Sequence, residues 1–136
     1  PKENVLELMQ GFINRVKMNK KKTINFIKNE IKKNKKIYLY GASTKGNTVL
    51  QYYGIDNKMI PFAAERSPEK WGKYTIGSGI KIISESVARK LKPDYFFVTP
   101  WGFIKEFVKR EKSWLKNGGS FILPFPKFKL VKYNEK

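Results

Sequence analysis

The segment Tyr40-Gly41-Ala42-Ser43-Thr44-Lys45-Gly46-Asn47-Thr48 holds the groups in this chain best suited to a phosphate. It follows a short apolar run, Ile37 to Tyr40, and leads into Val49, Leu50 and Tyr53, which are closed by Gly54. Gly41 permits a sharp turn off a strand, and Gly46 permits close packing where a helix begins. The unpaired N–H groups of a helix start form an anion site. Ser43 and Thr44 add hydroxyl donors, and Lys45 adds a mobile positive charge. The combination suits a diphosphate; the competing reading is a plain strand–turn–helix corner. Two standard phosphate motifs are each incomplete. The dinucleotide fingerprint G-x-G-x-x-G fails because Ala42-Ser43 stand where its second glycine should fall. The P-loop G-x-x-x-x-G-K-[ST] keeps Gly41, Gly46 and Thr48 but has Asn47 in place of its lysine, which argues against NTP hydrolysis.

Glu65 lies 24 positions after Gly41. In dinucleotide folds an acid about 20 residues on bonds a ribose hydroxyl. Glu65 is therefore either a ribose ligand or a solvated loop acid paired with Arg66 or Lys70. Arg66 and Lys73 add positive charge beyond it. Trp101 follows Pro100 and either stacks on a base or sugar or packs at the start of a helix. No catalytic set emerges. The chain has neither histidine nor cysteine, which removes zinc fingers, iron–sulfur ligation, disulfide scaffolds and Ser–His or Cys–His nucleophiles. Proton abstraction most often uses histidine, and the acids here are scattered. Alone, the chain reads as a binder with no catalytic residue and no metal site.

The elements that must position these residues are legible from periodicity. Val5, Leu8, Met9, Phe12 and Val16 repeat at helical spacing, Asn19 to Lys22 form a polar break, and Ile24, Ile27 and Ile31 resume the repeat. This predicts two helices with a short joint. Strands are predicted at Ile37 to Tyr40, Met59 to Ala64, briefly at Lys81 to Ile83, at Tyr95 to Thr99 and at Phe121 to Leu123. Phe128 to Val131 is a candidate edge strand. Ser84 caps a helix to about Leu91, and Phe103, Phe107 and Trp114 with Ile104, Val108 and Leu115 make a helical stripe stopped by Gly118-Gly119. Alternating strands and helices imply parallel pairing with right-handed crossovers. The predicted fold is α/β: a Rossmann-like three-layer domain with a mostly parallel sheet and an N-terminal helical pair. Residues 1–35 are read as a helical extension packing on the core, and 36–136 as the Rossmann-like domain.

The 136 residues suit one domain, and 40% hydrophobic content suffices for a core. With 29 basic and 11 acidic residues the net charge is +18. That favours an anionic partner and raises, as an alternative function, a basic nucleic-acid-binding module. Lysines number 25 and arginines only 4, however, and specific readers of bases and phosphates favour arginine's fork. Nucleic acid is thus the weaker expectation. No apolar run reaches the roughly 18–20 residues of a membrane span, so no membrane partner is expected. Absent cysteines and the lack of a signal-like start point to the cytoplasm. A start at Pro1 rather than Met points to a fragment or a processed chain.

Four segments in this order resemble the C-terminal domain of sugar C-methyltransferases: Tyr40 to Ile55, Glu65 to Ile82, Lys92 to Trp101, and Gly118 to Pro126. The resemblance covers roughly residues 36 to 126. It implies a Rossmann-like part of a three-part enzyme acting on nucleotide-linked deoxysugars, with a zinc-binding part first and an S-adenosylmethionine-binding methyltransferase part in the centre. The nucleotide sugar would lie between the last two parts, Gly41 to Asn47 would hold its diphosphate, and Glu65 would lie near the nucleoside. This domain would itself bind no cofactor and be inactive alone. Three positions depart from the family pattern: Glu65 replaces Asp, Ile76-Gly77 replaces Pro-Gly, and Trp101-Gly102 replaces Trp-Asn.

Overall fold

A computed structural model describes residues 2–134. It begins with one helix, α1 (Lys2–Lys32), in place of the predicted pair. The polar stretch Asn19 to Lys22 does not interrupt it, because it holds no glycine or proline and lysine is a good helix former. Its polar groups also have uses. Asn19 donates from Nδ2 to the Pro126 carbonyl at 3.2 Å and accepts from the Phe128 amide at 3.1 Å, and Thr23 Oγ1 donates to the Asn19 carbonyl at 2.7 Å.

Alternation follows as expected: β1 (Ile37–Tyr40), α2 (Thr44–Tyr53), β2 (Phe62–Glu65), β3 (Lys81–Ser84), α3 (Glu85–Lys90), β4 (Tyr95–Phe97), α4 (Ile104–Arg110), α5 (Lys112–Lys116), β5 (Ser120–Leu123) and β6 (Lys129–Val131). One-turn 3-10 helices cover Pro68–Lys70 and Trp101–Phe103. The second strand starts later than its apolar run because Pro61 cannot donate to a ladder. The stripe from Phe103 to Leu115 is divided at Glu111, whose φ of −105° and ψ of 25° leave the helical region.

The six strands form one sheet in the order β3-β2-β1-β4-β5-β6. The first five are parallel, and β6 returns antiparallel along β5. One apolar layer joins Ile27 of α1 and Leu50 and Tyr53 of α2 to Ile37, Leu39, Ala63, Phe97 and Ile122. The other joins Ala88 of α3 and Leu115 of α5 to Tyr38, Tyr40, Ala64, Phe96 and Phe121. Neighbouring residues of each strand thus face opposite layers, which accounts for unbroken apolar runs such as Ile37 to Tyr40. The result is a three-layer sandwich.

α1 runs antiparallel to the central strands. Asn19 meets Pro126, just past the carboxyl end of β5, while Glu30 accepts a 2.5 Å hydrogen bond from Tyr95 at the amino end of β4. Thr23, Ile27 and Glu30 are buried on the body. Residues 2–15 therefore extend past the carboxyl edge of the sheet. No helix among the described residues is long and apolar enough to cross a membrane.

Candidate functional site

β1 has β2 on one side and β4 on the other, and the chain leaves β1 and β4 in opposite directions. The crevice at the carboxyl ends of these two strands is where open α/β sheets take ligands. The loop from Gly41 to Asn47 occupies it. Gly41 turns the chain at φ 86°, and its amide donates to the Ala64 carbonyl at 2.7 Å. Ser43 caps α2, its hydroxyl accepting from the Gly46 amide at 3.0 Å. Gly46 is buried against the end of β4, where a Cβ would stand 2.5 Å from Thr99 Oγ1. That contact fixes how closely α2 approaches the sheet.

The amides of Ser43, Thr44 and Lys45 take no acceptor among the described residues. All three residues are exposed, and α2 carries no acid in its first turn. The helix start therefore keeps its positive partial charge turned to solvent, beside the Lys45 side chain.

Glu65 faces this loop from β2. Its Oε1 accepts from the Ala42 amide at 3.0 Å, and its Oε2 from the Arg66 and Ser67 amides at 2.7 and 3.0 Å. Lys70 stands 3.7 Å from Oε1 and donates to the Ala42 carbonyl at 3.1 Å. Burial pushes the Glu65 carboxyl up, but the Ser67 and Ala42 amides and the Lys70 charge outweigh it and hold it below the usual carboxylate range. The carboxylate ties β2 to the loop after β1. Trp71 adds a second tie, donating from Nε1 to the Glu65 carbonyl at 2.8 Å.

Asn47 also braces the structure. Its Nδ2 donates to the Ile76 carbonyl at 2.6 Å and its Oδ1 accepts from Ser78 at 2.7 Å, while Gln51 reaches the same carbonyl at 3.1 Å. These bonds hold the long loop before β3 against α2. Arg66 is exposed beside the loop. The crevice thus brings together Gly41, Ala42, Ser43, Thr44, Lys45, Gly46, Asn47, Glu65 and Arg66. Trp101 stands on the same edge but lines a separate cavity of about 460 Å³ with Ile104, Leu123, Phe125, Pro126 and Phe128.

Sequence reasoning missed a charged cluster on the other face. Glu111, 2% exposed, accepts from Tyr40 at 2.6 Å and from both Nε and NH2 of Arg89 at 2.8 and 2.7 Å. Arg110 donates to the Tyr40 hydroxyl at 2.8 Å and pairs with Glu85 at 3.3 Å. Burial pushes Glu111 up, while Arg89, Tyr40 and Arg110 hold it below the usual range; burial and Glu111 raise the Tyr40 hydroxyl. A cavity of about 680 Å³ lies beside Arg89, Arg110 and Glu111 and reaches Asp94 and Gly119, which precede β4 and β5. It sits at the amino edge, away from the crevice. One signal could have found the cluster: Glu111 falls on the stripe of Phe107, Val108, Trp114 and Leu115, where a charge is out of place. Among the described residues no group of three or more acids could hold a metal.

The model of the C-methyltransferase C-terminal domain matches residues 2–126, which include α1. The chain is also 37% identical over 92 residues to the C-methyltransferase NovU of Streptomyces niveus. That match covers 68% of this chain but only 22% of the relative, so the chain spans about a fifth of its length. The chain belongs to the C-methyltransferase C-terminal domain family.

Proposed function

We propose that this chain holds the nucleotide sugar for an S-adenosylmethionine-dependent sugar C-methyltransferase, gripping the substrate diphosphate while another part of the enzyme transfers the methyl group. The observation that carries this reading is the row of amides at Ser43, Thr44 and Lys45, without acceptors among the described residues at the switch point of the sheet. A diphosphate supplies the acceptors they lack, and Lys45 and Arg66 add charge beside it. Glu65 and Asn47 act by holding the surrounding loops in shape, through the bonds described above. Trp101 is available to flank a base or sugar from across the edge.

The same loop suits the methyl donor poorly. S-adenosylmethionine carries a positive sulfonium, and the crevice offers a helix N-terminus and cations, its one facing acid already bonded to three amides. The donor and the proton-abstracting base therefore belong to the methyltransferase part, and this chain alone is expected to transfer no methyl group. The test is an NMR titration of the chain with a nucleoside diphosphate sugar. Amide shifts concentrated at Gly41 to Asn47 support the reading. No response there at millimolar ligand overturns it, as does turnover by the chain alone with S-adenosylmethionine.

A further inference from the structure

α1 carries one apolar face along its whole length. In its second half that face buries Thr23, Ile27 and Glu30 on the sheet, with Ile24 and Ile31 partly covered. At 100° per residue the same face continues through Val16, Phe12, Met9, Leu8 and Val5, flanked by Leu6 and Ile13. From Phe12 outward none of the described residues covers it: Val5, Leu8, Met9 and Phe12 are 54%, 72%, 54% and 61% exposed. Polar residues stay on the far side, where Gln10 bonds Asn14 at 2.9 Å. Fourteen helical residues standing alone in water are marginal, and a contiguous apolar patch of this kind marks a contact surface.

The charge pattern narrows the occupant. Residues 2–15 hold two basic and two acidic residues and cancel, whereas residues 16–36 hold nine basic and one acidic, a net +8. A nucleic acid or an anionic membrane would sit on the lysines, not on the neutral tip. A second copy fits poorly as well. The tip is about 21 Å long and about 10 Å wide, roughly 200 Å² in plan, against about 800 Å² per partner in a stable interface, and each copy brings +18. The tip also stands over the carboxyl edge, the edge that bears the Gly41 to Asn47 loop. An occupant reaching from the tip to that loop covers far more surface than the tip alone.

We infer that the exposed face of α1, from Val5 to Phe12, is the docking surface for the methyltransferase portion of the enzyme, which would meet it with an apolar surface. The inference rests on membership in the C-methyltransferase family and on the helix, and is independent of which ligand the loop holds. Docking there would close the carboxyl edge of the sheet from one side.

The test mixes the 136-residue chain with the methyltransferase portion of the same enzyme, expressed as a separate chain, and follows binding by calorimetry without any sugar ligand. The double substitution Leu8→Glu and Phe12→Glu should weaken binding by more than roughly tenfold and leave the unfolding transition unchanged, since both side chains are exposed. Gln10→Ala with Asn14→Ala, on the opposite face, should bind as the parent does. Equal affinity of the Glu variant overturns the inference, and so does absence of binding by the parent. A dimer of the chain alone that dissociates on the Leu8 and Phe12 substitutions assigns the face to a second copy and likewise overturns it. Because no sugar is present, failure here leaves the diphosphate reading to its own titration.

Discussion

Replacing Glu65 by Gln separates the loop-bracing role of this acid from a role in ligand contact alone. The carboxylate accepts three backbone amides, at 3.0, 2.7 and 3.0 Å, from the loops that follow β1 and β2. A glutamine has one accepting oxygen. Turned toward Arg66 and Ser67, it presents its NH2 to the Ala42 amide, donor against donor; turned the other way, it abandons two amides. Hydrogen bonds to a charged acceptor contribute about 1.5–3 kcal/mol and those to a neutral one about 0.5–1.5. Losing one charged bond and weakening two by about 1 kcal/mol each therefore costs about 4 kcal/mol. The Lys70 pair adds little, because the Lys70 side chain is 42% exposed and screened by solvent. Against an ordinary stability of about 5–15 kcal/mol, the variant should stay folded, so urea unfolding can measure the loss.

The pH dependence has a definite sign. The folded-state pKa of Glu65 lies below the ordinary glutamate value that it has in the unfolded chain. Its contribution is then fully present above that value and is lost as pH falls through the lowered one. The gap between parent and Glu65→Gln should be full at pH 7 and should close on acidification. A variant within about 0.5 kcal/mol of the parent at pH 7, the usual range for an inert surface change, would refute the bracing role.

Gly46→Ala places a Cβ 2.5 Å from Thr99 Oγ1 and should cost about 1–3 kcal/mol by overpacking; adding Thr99→Ala should recover part of the loss in the same unfolding assay. Glu111→Gln leaves Arg89 and Tyr40 without their carboxylate and should cost about 3 kcal/mol, the low end for a broken buried pair, because the Arg89 side chain is 39% exposed. Calorimetric melting at pH 7 reads this loss, and an unchanged midpoint would place the Arg89–Glu111 bond outside the stability of the fold. Raising salt should slow association of a nucleoside diphosphate sugar more than it speeds dissociation, measured by stopped flow, since distant lysines steer while the fixed amides hold.

Much of the fold was legible because its signals are local. Gly54 ends α2 in the left-handed region at φ 71°, and Ser84 caps α3 by accepting from the Val87 amide at 3.1 Å. The crossover logic then delivered the parallel sheet. The single α1 was not legible, since the use of Asn19 depends on Pro126 and Phe128, more than a hundred residues away. The crevice loop was legible as a position. The direction of its side chains was not: Glu65 and Asn47 carry the types expected of ligand contacts, yet Glu65 is turned onto three amides and Asn47 onto the Ile76 carbonyl and the Ser78 hydroxyl. Glu111 was readable as a charge on an apolar stripe, but its partners Tyr40 and Arg89 come from distant strands and helices.

The buried cluster also bears on what the charge of +18 can do. A net charge raises the local concentration of any anion within a Debye length of about 8–10 Å, but it does not choose among anions. Choosing bases in a groove relies chiefly on arginine forks. Of the four arginines, Arg89 and Arg110 are held by Glu111 and Glu85, and Arg15 lies on the neutral tip of α1. That leaves Arg66, exposed just past β2, whose amide donates to Glu65. A lysine field with a single arginine just past β2 is poorly equipped to read a base sequence. On the proposed reading, a fixed row of amides with Lys45 beside it would hold a small phosphate ester, and the lysine field would bring that ester to the edge.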